Sequence, residues 1–360
     1  MSERHEVIII GAGIHGLCAA FELRRRGRQV LVIDRFAAGH DRGGSHGAGR
    51  ITRSSYHDQR YVEMSRRMHS EAWPELEAEL GEKLVHHTPG LFFGPEDGPF
   101  AAFLQATLAA GVDVEEVPRS DAADRFELLR FEPTDRVLLD HTAGVLAADR
   151  TLAALRTWLT DQQVAIRDGV LVTKLCSQGD GVKLTTADGV LIGAHVVVAA
   201  GAWLGELLPQ WRTPLVPLRQ EVGYVEIAAE ASRTALGAFP VWCRVGGANE
   251  AFEYGLPEFE RPGLKLARHR TTGPADDHNA AIPPADEAKI LARASARFTA
   301  PVRSLRGVES CLYAVAPGEH LHVTALDHDP RVIAVAACSG HGFKFGPVLA
   351  KRVADFIAPR

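Results

Sequence analysis

Glu6-Val-Ile-Ile-Ile10 runs without a break into Gly11-Ala-Gly13-Ile-His-Gly16, and this stretch decides the fold. The apolar run predicts a buried β-strand, and the residues from Ile14 to Arg26 predict a helix that begins at the glycines. In such a unit the first glycine makes a tight turn, the second lets the backbone approach a pyrophosphate, and the third permits close packing of helix on strand. The phosphates then lie at the helix N-terminus. The stretch therefore predicts a dinucleotide site.

A carboxylate follows at the distance that such a site requires. The β-branched segment from Gln29 to Ile33 predicts a second strand, and Asp34 at its end is placed to bind a ribose hydroxyl. The alternative is an ordinary turn residue at the end of a strand. NAD and FAD share this pattern, so it does not distinguish the two cofactors.

Further segments suit a long dinucleotide that contacts several parts of the chain. The stretch 39–49 is polar and glycine-rich, which is typical of a loop near a ligand. The apolar segment from Leu191 to Ala200 predicts a strand that leads into another glycine turn. We predict additional cofactor contacts from Arg35, Ser45, Val170, Gly201 and Trp203.

The composition excludes several classes of protein. The 360 residues are 46% hydrophobic and 24% charged, with a net charge of −5, whereas a nucleic-acid or polybasic membrane surface needs a cationic excess. No apolar stretch reaches the length of a transmembrane helix, and the N-terminus lacks the apolar core of a signal peptide. Five scattered cysteines without CxxC spacing favour a reducing compartment, without disulfides or a metal site. We expect a cytoplasmic protein that binds neither nucleic acid nor membrane.

The pattern of predicted strands and helices indicates an α/β fold, α+β overall, with two domains. From about Arg212 to Ala300 short alternating strands suggest an antiparallel sheet. We predict a Rossmann-type nucleotide-binding domain formed by residues 1–85, 145–212 and 305–360. An antiparallel-sheet substrate domain, formed by residues 86–144 and 213–304, is inserted into it.

A second glycine-rich turn, Ser339-Gly-His-Gly-Phe-Lys-Phe345, lies between a predicted buried strand and a helix that we expect to begin near Pro347. Its backbone amides and the helix N-terminus would form an electropositive cradle, to which Lys344 adds a full charge. Such a cradle would stabilise the negative charge of a reduced flavin, with contacts from Gly340, Gly342, Phe343 and Lys344. The alternative is a plain connection before a helix.

Five segments occur in the same order as in monomeric sarcosine oxidase: Gly44-Ser-His-Gly-Ala-Gly-Arg-Ile-Thr-Arg53, Tyr254-Gly-Leu-Pro257, Gly263-Leu-Lys-Leu266 with His269, Cys311-Leu-Tyr313 and Ser339-Gly-His-Gly-Phe-Lys-Phe345. The chain thus resembles the family of monomeric sarcosine oxidase and N-methyltryptophan oxidase, within the D-amino-acid-oxidase-like FAD-dependent oxidoreductases. The similarity extends from the first strand to the last helix. It implies FAD as the cofactor and a monomeric amine oxidase as the protein.

The resemblance assigns roles to four cations. The positions of Arg53 and Lys344 hold the substrate carboxylate in the family, that of Arg50 lies against the flavin ring, and that of Lys265 faces the flavin and promotes the reaction with O2. Considered by themselves, the two arginines could equally be surface charges on a mobile loop. The alternating pattern Leu264-Lys-Leu266 by itself favours a lysine that points into water.

Four other residues are implicated in the same way. Tyr254 and His269 match positions beside the substrate, although a lone tyrosine or histidine is more often structural. Trp242 lies in a segment that would border the substrate pocket. Cys311 matches the cysteine that carries the flavin through an 8α thioether, whereas a free buried thiol with non-covalent FAD is the alternative.

These residues predict oxidation of a secondary amino acid, N-methylated or cyclic, to an imine, with O2 reduced to H2O2. Two alternatives keep the fold: a dehydrogenase with another electron acceptor, and an oxidase of a primary D-amino acid or glycine. A non-catalytic flavoprotein is disfavoured by the joint presence of the four cations and the cysteine. Ala314 and Thr324 depart from the family pattern, which usually has threonine and aspartate there, and leave the identity of the amine open.

Overall fold

The computed structural model describes residues 2–246, 252–269, 279 and 284–357. The strands in these residues are β1 (Ser2–Ile10), β2 (Val30–Ile33), β3 (Gly49–Thr52), β4 (Val85–His87), β5 (Gly90–Pro95), β6 (Val114–Val117), β7 (Asp135–Asp140), β8 (Gly144–Ala147), β9 (Ala165–Arg167), β10 (Val172–Gln178), β11 (Gly181–Thr186), β12 (Gly189–Val198), β13 (Val216–Ile227), β14 (Val241–Arg244), β15 (Glu253–Leu256), β16 (Leu264–Arg268), β17 (Val302–Val315), β18 (His322–Leu326) and β19 (Asp329–Ala336).

The helices in the same residues are α1 (Ile14–Arg25), α2 (Gln59–Arg67), α3 (Trp73–Leu80), α4 (Pro99–Ala109), α5 (Arg119–Arg125), α6 (Ala148–Asp161), α7 (Leu204–Leu207), α8 (Ala231–Thr234), α9 (Glu287–Arg297) and α10 (Gly346–Ile357). None of these helices is long and apolar enough to cross a membrane. The apolar residues from Tyr61 to Leu80 have helical spacing and by themselves predict one helix, but a π-helical turn, Met68–Ala72, divides this segment into α2 and α3. The sequence gives no signal for this turn, because its apolar spacing continues through it.

The first large sheet has a parallel core in which β1 lies between β12 and β2. The residues from Val7 to Ile10 are buried on both faces, which explains why they form a continuous apolar run. The first half of β12 pairs antiparallel with β11, whereas its last three residues pair in parallel with β19. Helices α1 and α10 contact each other, so the first and last parts of the chain belong to one layer.

The second large sheet has the strand order β17-β13-β16-β15-β14-β5-β7-β6. The sequence predicted an antiparallel sheet, but one pair in the middle is parallel: Leu91 of β5 lies opposite Trp242 of β14. The pair joins strands from two distant segments of the chain, so a local sequence pattern could not show its direction. A third, small sheet pairs β3, β8 and β4.

The two-sheet α/β architecture predicted from the sequence is confirmed. Strand β17 pairs with β13 along almost its whole length, from Val302 to Val315, and therefore spans the predicted boundary at residues 304 and 305. The exact limits of the two domains stay a prediction.

Candidate functional site

Two cavities adjoin each other. Residues of both large sheets line one of them, and residues of the second large sheet and of β3 line the other. The first contains the glycine turn after β1 and has a volume of about 720 Å³; we term it the glycine-turn cavity. The second contains Arg50, Arg53, Lys265 and Lys344 and has a volume of about 700 Å³; we term it the cationic cavity. Both are lined by Gly44, His46, Glu309, Cys338 and Phe343. Because they share these residues, one elongated ligand can extend through both.

Close backbone contacts build the glycine turn. Gly11 has a φ of +108°, and a β-carbon there would lie 2.4 Å from the carbonyl oxygen of Ala199. A β-carbon at Gly16 would lie 1.8 Å from the carbonyl oxygen of Gly11, so α1 can pack this closely on β1 only with glycine at that position. Gly11 and Gly13 line the cavity, whereas Gly16 does not appear among its lining residues and acts through packing.

The N-terminus of α1 faces the glycine-turn cavity. No acidic residue occupies its first turn, and the N-cap residue is Gly13, which has no side chain to cap the helix. The amide of Ile14 donates to Oγ of Ser45 at 3.2 Å. The remaining positive end of the helix dipole is suited to an anionic group such as a pyrophosphate.

Asp34 and Arg35 line the same cavity at the end of β2. The two carboxylate oxygens of Asp34 accept hydrogen bonds from the amides of Ala12 (2.7 Å) and Phe36 (2.8 Å). The guanidinium of Arg35 lies 5.0 Å from the ring centroids of both Phe36 and Trp203. Its Nη1 is buried and has no hydrogen-bond partner among the described residues. The same Nη1 lies 3.7 Å from a carboxylate oxygen of Glu206. A guanidinium beside two aromatic rings, with a donor that makes no hydrogen bond, fits a nucleotide.

The remaining residues predicted for this site also line the cavity, namely Ser45, Val170, Gly201 and Trp203. Gly201 has a φ of +55°, so the turn after β12 uses the left-handed region that glycine adopts without strain. The amide of Val170 donates to the carbonyl oxygen of Asp34 at 2.8 Å, which fixes the loop after β9 against the end of β2. The structure thus brings together all the residues predicted from three separate segments.

The second glycine-rich turn closes the other side. Ser339 and Gly340 have φ values of 41° and 73°, and a β-carbon at Gly342 would lie 1.6 Å from the carbonyl oxygen of Ala337. A 3₁₀ turn, Phe343–Phe345, follows, and α10 begins directly after it. Gly340, Gly342 and Lys344 line the cationic cavity, and Phe343 lines both. These residues lie together before α10, and their contact with a flavin stays a prediction.

Arg53 and Lys344 form a pair of cations at one end of the cationic cavity. The guanidinium of Arg53 lies 4.4 Å from the ring centroid of Tyr56 and 5.0 Å from that of Phe92, and its buried Nη1 has no hydrogen-bond partner among the described residues. Nζ of Lys344 donates to the hydroxyl of Tyr56 and to the carbonyl oxygen of His341, both at 3.0 Å. Burial lowers the pKa of Lys344 well below its usual value, and the charge of Arg53 lowers it further. The pair is suited to one carboxylate.

Arg50 lies on β3 and is held by backbone oxygens. It donates to the carbonyl oxygens of Gly49 at 3.1 Å and of Gly44 at 3.2 Å. Its guanidinium lies 5.6 Å from the ring centroid of Phe343. These contacts fix the charge between the loop 44–49 and the second glycine-rich turn, so Arg50 is an ordered cavity residue and not a mobile surface charge.

Lys265 points into the cavity and not into water, which reverses the interpretation of its strand pattern. Only 5% of the residue is exposed, and Nζ donates to the carbonyl oxygen of Gly49 at 2.9 Å. Burial lowers the pKa of Lys265 to about 7, and the positive charge of Arg50 contributes in the same direction. Periodicity could not show this, because β16 is buried on both faces.

Tyr254 and His269 line the cationic cavity near a second tyrosine, Tyr313. The hydroxyls of Tyr254 and Tyr313 lie 3.2 Å apart, and burial raises the pKa of Tyr254 to about 12. Nε2 of His269 donates to a carboxylate oxygen of Glu319 at 3.3 Å. The cavity therefore offers neutral hydroxyls and an imidazole–carboxylate pair to a bound ligand.

Cys311 lies on β17 and lines the cationic cavity close to Arg50 and Lys265. Burial raises the pKa of Cys311 to about 11, and the two cations act against this increase. Cys338 lines both cavities. Of the other three cysteines, Cys243 lines the cationic cavity, and Cys18 and Cys176 line neither cavity. The structure is therefore consistent with Cys311 as a thiol that faces the ligand, and it adds Cys338 as a second.

Trp242, which was predicted to border the substrate, lies outside both cavities. It is fully buried and belongs to the hydrophobic core cluster that contains Phe93 and Phe298, and it does not line the cavity. Side chains alternate along a strand, so its neighbour Cys243 is the residue that faces the cavity. The prediction identified the correct strand and the wrong face.

Among the cavity residues to which the sequence analysis assigned no role are Tyr56, Glu309 and Tyr313. Glu309 and Tyr313 lie two residues on either side of Cys311, so the period of two along a strand could have identified both. Tyr56 follows Arg53 by three residues on an irregular segment, where no such period applies. Among the described residues, no group of three or more His, Cys, Asp or Glu side chains is arranged to hold a metal ion.

Comparisons with known proteins agree with this geometry. A family model described as FAD dependent oxidoreductase matches residues 6–356. The chain is 31% identical over 354 residues to the peroxisomal sarcosine oxidase of Mus musculus (96% of this chain, 90% of that protein). It is 30% identical over 363 residues to the monomeric sarcosine oxidase of Arthrobacter sp. strain TE1826 (98% and 92%).

The fold is also similar to a solved structure of NikD, an unusual amino acid oxidase essential for nikkomycin biosynthesis. The TM-score is 0.87, with 23% sequence identity over 99% of this chain and 94% of the other. The family resemblance inferred from the motifs is confirmed. The chain belongs to the FAD-dependent oxidoreductase family and is a sarcosine oxidase-like, FAD-dependent amine or amino-acid oxidase.

Proposed function

We propose that this enzyme oxidises the C–N bond of a secondary amino acid, N-methylated or cyclic, to an imine and transfers the electrons to O2, which yields H2O2. The observation that carries the proposal is the arrangement of four basic side chains in one cavity, of which the two lysines are buried and the two arginines are partly buried. Two of them, Arg53 and Lys344, are suited to a carboxylate, while Arg50 and Lys265 lie towards the shared wall of the two cavities. FAD, when bound across the two cavities, supplies the acceptor of the two electrons.

Arg53 and Lys344, which we term the carboxylate clamp, would bind and orient the substrate. A carboxylate that enters the cavity finds the unpartnered Nη1 of Arg53 and the ammonium of Lys344. The surrounding rings of Tyr56, Phe92 and Phe103 exclude water, so the ion pair forms in a medium of low dielectric constant. The fixed carboxylate places the neighbouring C–N bond inside the cavity.

The amine must be neutral to donate a hydride equivalent, and several groups could select that form. Tyr254 presents a protonated hydroxyl, and His269 is held by Glu319. A buried site that already contains four cations also disfavours a positively charged amine. These residues support the oxidation of a neutral secondary amine without an additional side-chain base.

Lys265 supports O2 as the electron acceptor. A buried ammonium stabilises the negative charge that develops when O2 accepts an electron. Sarcosine oxidase is the activity named for the two relatives reported above, which is consistent with this choice. A dehydrogenase with another acceptor is the alternative.

We propose that FAD is attached through the sulfur of Cys311, which would replace one hydrogen of the flavin 8α methyl group. The two electrons and two protons released in this step would pass to O2, which yields H2O2. A thiolate is the reactive form of cysteine, and the neighbouring Arg50 and Lys265 would stabilise it against the effect of burial. We also propose that the protein is a monomer, as the name of the Arthrobacter relative states for that enzyme. The cytoplasmic location stays a sequence-based prediction.

A panel of amines tests the reaction. Purified enzyme is supplied with N-methyl amino acids, cyclic amino acids, glycine and primary D-amino acids, and H2O2 release is measured together with O2 uptake. Turnover of secondary amino acids with equal amounts of O2 consumed and H2O2 formed is expected. Cofactor bleaching without H2O2 would favour the dehydrogenase, and turnover of primary amino acids only would contradict the proposed substrate class.

A further inference from the structure

Glu309 has no role in the proposed function, although it lines both cavities. On β17 it precedes Cys311 by two residues, so the two side chains lie on the same face of the sheet. The hydroxyl of Tyr224 donates to Oε2 of Glu309 at 2.8 Å, and Arg261 donates to Oε1. The carboxylate is thus fixed at the junction of the cavities.

The strand register explains why this cluster forms. Strand β13 lies between β17 and β16, so Tyr224 is opposite Gly307 on one side and opposite Lys265 on the other. A β-carbon at Gly307 would lie 2.8 Å from Nη2 of Arg261. Since glycine leaves this space open, the guanidinium of Arg261 fills it and lies 3.7 Å from the ring centroid of Tyr224.

The cluster is adjacent to Lys265. Nζ of Lys265 lies 5.7 Å from the ring centroid of Tyr224 and donates to the carbonyl oxygen of Gly49. Oε2 of Glu309 would lie 3.0 Å from a β-carbon on Gly47. The ammonium and the carboxylate therefore contact the same short loop, one at each end.

We propose that Glu309, held by Arg261 and Tyr224, is a positioning residue that keeps Lys265 in its charged form. The assignment of Lys265 to the reaction with O2 rests on the proposed function, whereas the electrostatic coupling of the two side chains does not. The titratable and charged groups around Lys265 are Arg50 on β3, His46 in the preceding loop, Tyr224 on β13, Tyr254 on β15, Arg261 before β16, and Glu309 and Cys311 on β17.

The balance of charges agrees with this assignment. Burial lowers the pKa of Lys265, Arg50 lowers it further, Glu309 raises it, and Arg261 lowers it by a smaller amount. Burial also raises the pKa of Tyr224, so its hydroxyl stays protonated and donates to the carboxylate. Loss of the charge of Glu309 should therefore favour neutral Lys265, and loss of the charge of Arg261 should favour the cation.

Two variants with opposite expected effects test the proposal: Glu309→Gln and Arg261→Gln. The visible spectrum of the oxidised holoenzyme is titrated from about pH 5 to about pH 10, because a nearby ammonium shifts flavin absorption only while it is charged. Lys265→Met identifies the transition that belongs to Lys265. Relative to wild type, the midpoint should move down on the order of one pH unit in Glu309→Gln and up in Arg261→Gln.

A second measurement connects the titration with O2. The enzyme is reduced photochemically without an amine and mixed with O2, and the rate of reoxidation is followed over the same pH range. As the pH rises, the rate of reoxidation should fall, and the pH at which it falls should move in each variant in the same direction as the spectral midpoint. If wild-type enzyme does not react with O2, the proposed oxidase function fails, while the spectral titration still decides the role of Glu309.

Unchanged midpoints in both variants, or shifts in the same direction, would overturn the proposal. A merely structural role for the cluster predicts altered cofactor content or thermal stability without opposite shifts. If Glu309→Gln does not retain FAD, Arg261→Gln decides the question by itself, since its midpoint must rise. The absence of any Lys265-dependent transition from both wild-type measurements would equally overturn it.

Discussion

The two adjoining cavities are built by different physical means. The glycine-turn cavity depends on a local backbone turn: Gly11, Gly13 and Gly16 lie within six residues of sequence, and close backbone contacts require glycine at Gly11 and Gly16. The cationic cavity is formed by side chains that come from distant parts of the chain, such as Arg53, Lys265 and Lys344. Local sequence can therefore specify the glycine turn, whereas the cationic cavity exists only after the second large sheet, β3 and the second glycine-rich turn have assembled.

The two cavities also differ in the free-energy cost of forming them. Glycine turns cost conformational entropy but leave no buried charge uncompensated. Four basic side chains in one cavity repel each other electrostatically, and burial lowers the pKa values of both lysines. Like charges placed so close together lower the stability of the fold and are typical of a ligand-binding site. Changes in the first region should therefore affect folding and cofactor retention, and changes in the second should affect chemistry.

The largest effect is expected for Gly16→Ala. The new β-carbon would lie 1.8 Å from the backbone oxygen of Gly11, and α1 and β1 would have to separate, at a cost of about 3 kcal/mol or more. We expect loss of bound FAD and a lower melting temperature. Gly43→Ala is the control, because its β-carbon meets only a side-chain atom at 3.5 Å. If Gly16→Ala retained FAD and had wild-type stability, the close packing of α1 on β1 would not require glycine at this position.

The next largest effect is expected for a change in the carboxylate clamp, which should lower kcat/KM without destabilising the fold. In Arg53→Met the carboxylate loses its bidentate donor, which for a buried charge pair costs about 4 kcal/mol, or about 10³-fold in kcat/KM. Cofactor content and melting temperature should stay close to wild type. Arg60→Met removes the same charge from an exposed position near the cavity mouth and should change kcat/KM little. A similar loss in both variants would contradict the clamp.

A smaller effect is expected for Lys265→Met, and it should depend on pH. Because burial lowers the pKa of Lys265 to about 7, the cation is present below that pH and is lost as the pH rises through it. The reaction of reduced enzyme with O2 should therefore slow about 10²-fold at low pH and much less at high pH. Lys289→Met, on the exposed side of α9, is the control. An equal decrease at every pH would argue against an electrostatic role.

The smallest effect is expected for Cys311→Ser. The two cavities contain many other contacts for FAD, so the variant should retain its cofactor but release it on acid precipitation, which leaves a yellow supernatant. Wild-type enzyme and Cys176→Ser should give a yellow pellet, since Cys176 lies on β10 outside both cavities. A yellow pellet from Cys311→Ser would point to Cys338, the other thiol at the junction, and a colourless wild-type pellet would exclude covalent attachment.

The elements that the sequence predicted well are those with a local physical cause. Helix α1 begins at Ile14 as expected because the glycine turn ends there, and β1 ends at Ile10, where the same turn begins. The parallel pairing of β5 with β14 was missed because it joins strands from distant segments of the chain. Trp242 was assigned to the wrong face for the same reason.

By itself, then, the sequence determined the dinucleotide turn, the alternation of strands and helices and, through its motifs, the family. Each of these depends on residues that are neighbours in the chain. Only the tertiary structure decided which way Lys265 points, that Arg53 retains an unpartnered buried donor, and that Glu309 and Arg261 form a cluster beside Lys265. These properties depend on burial and on distances between charges from separate strands, and those quantities exist only in the folded chain.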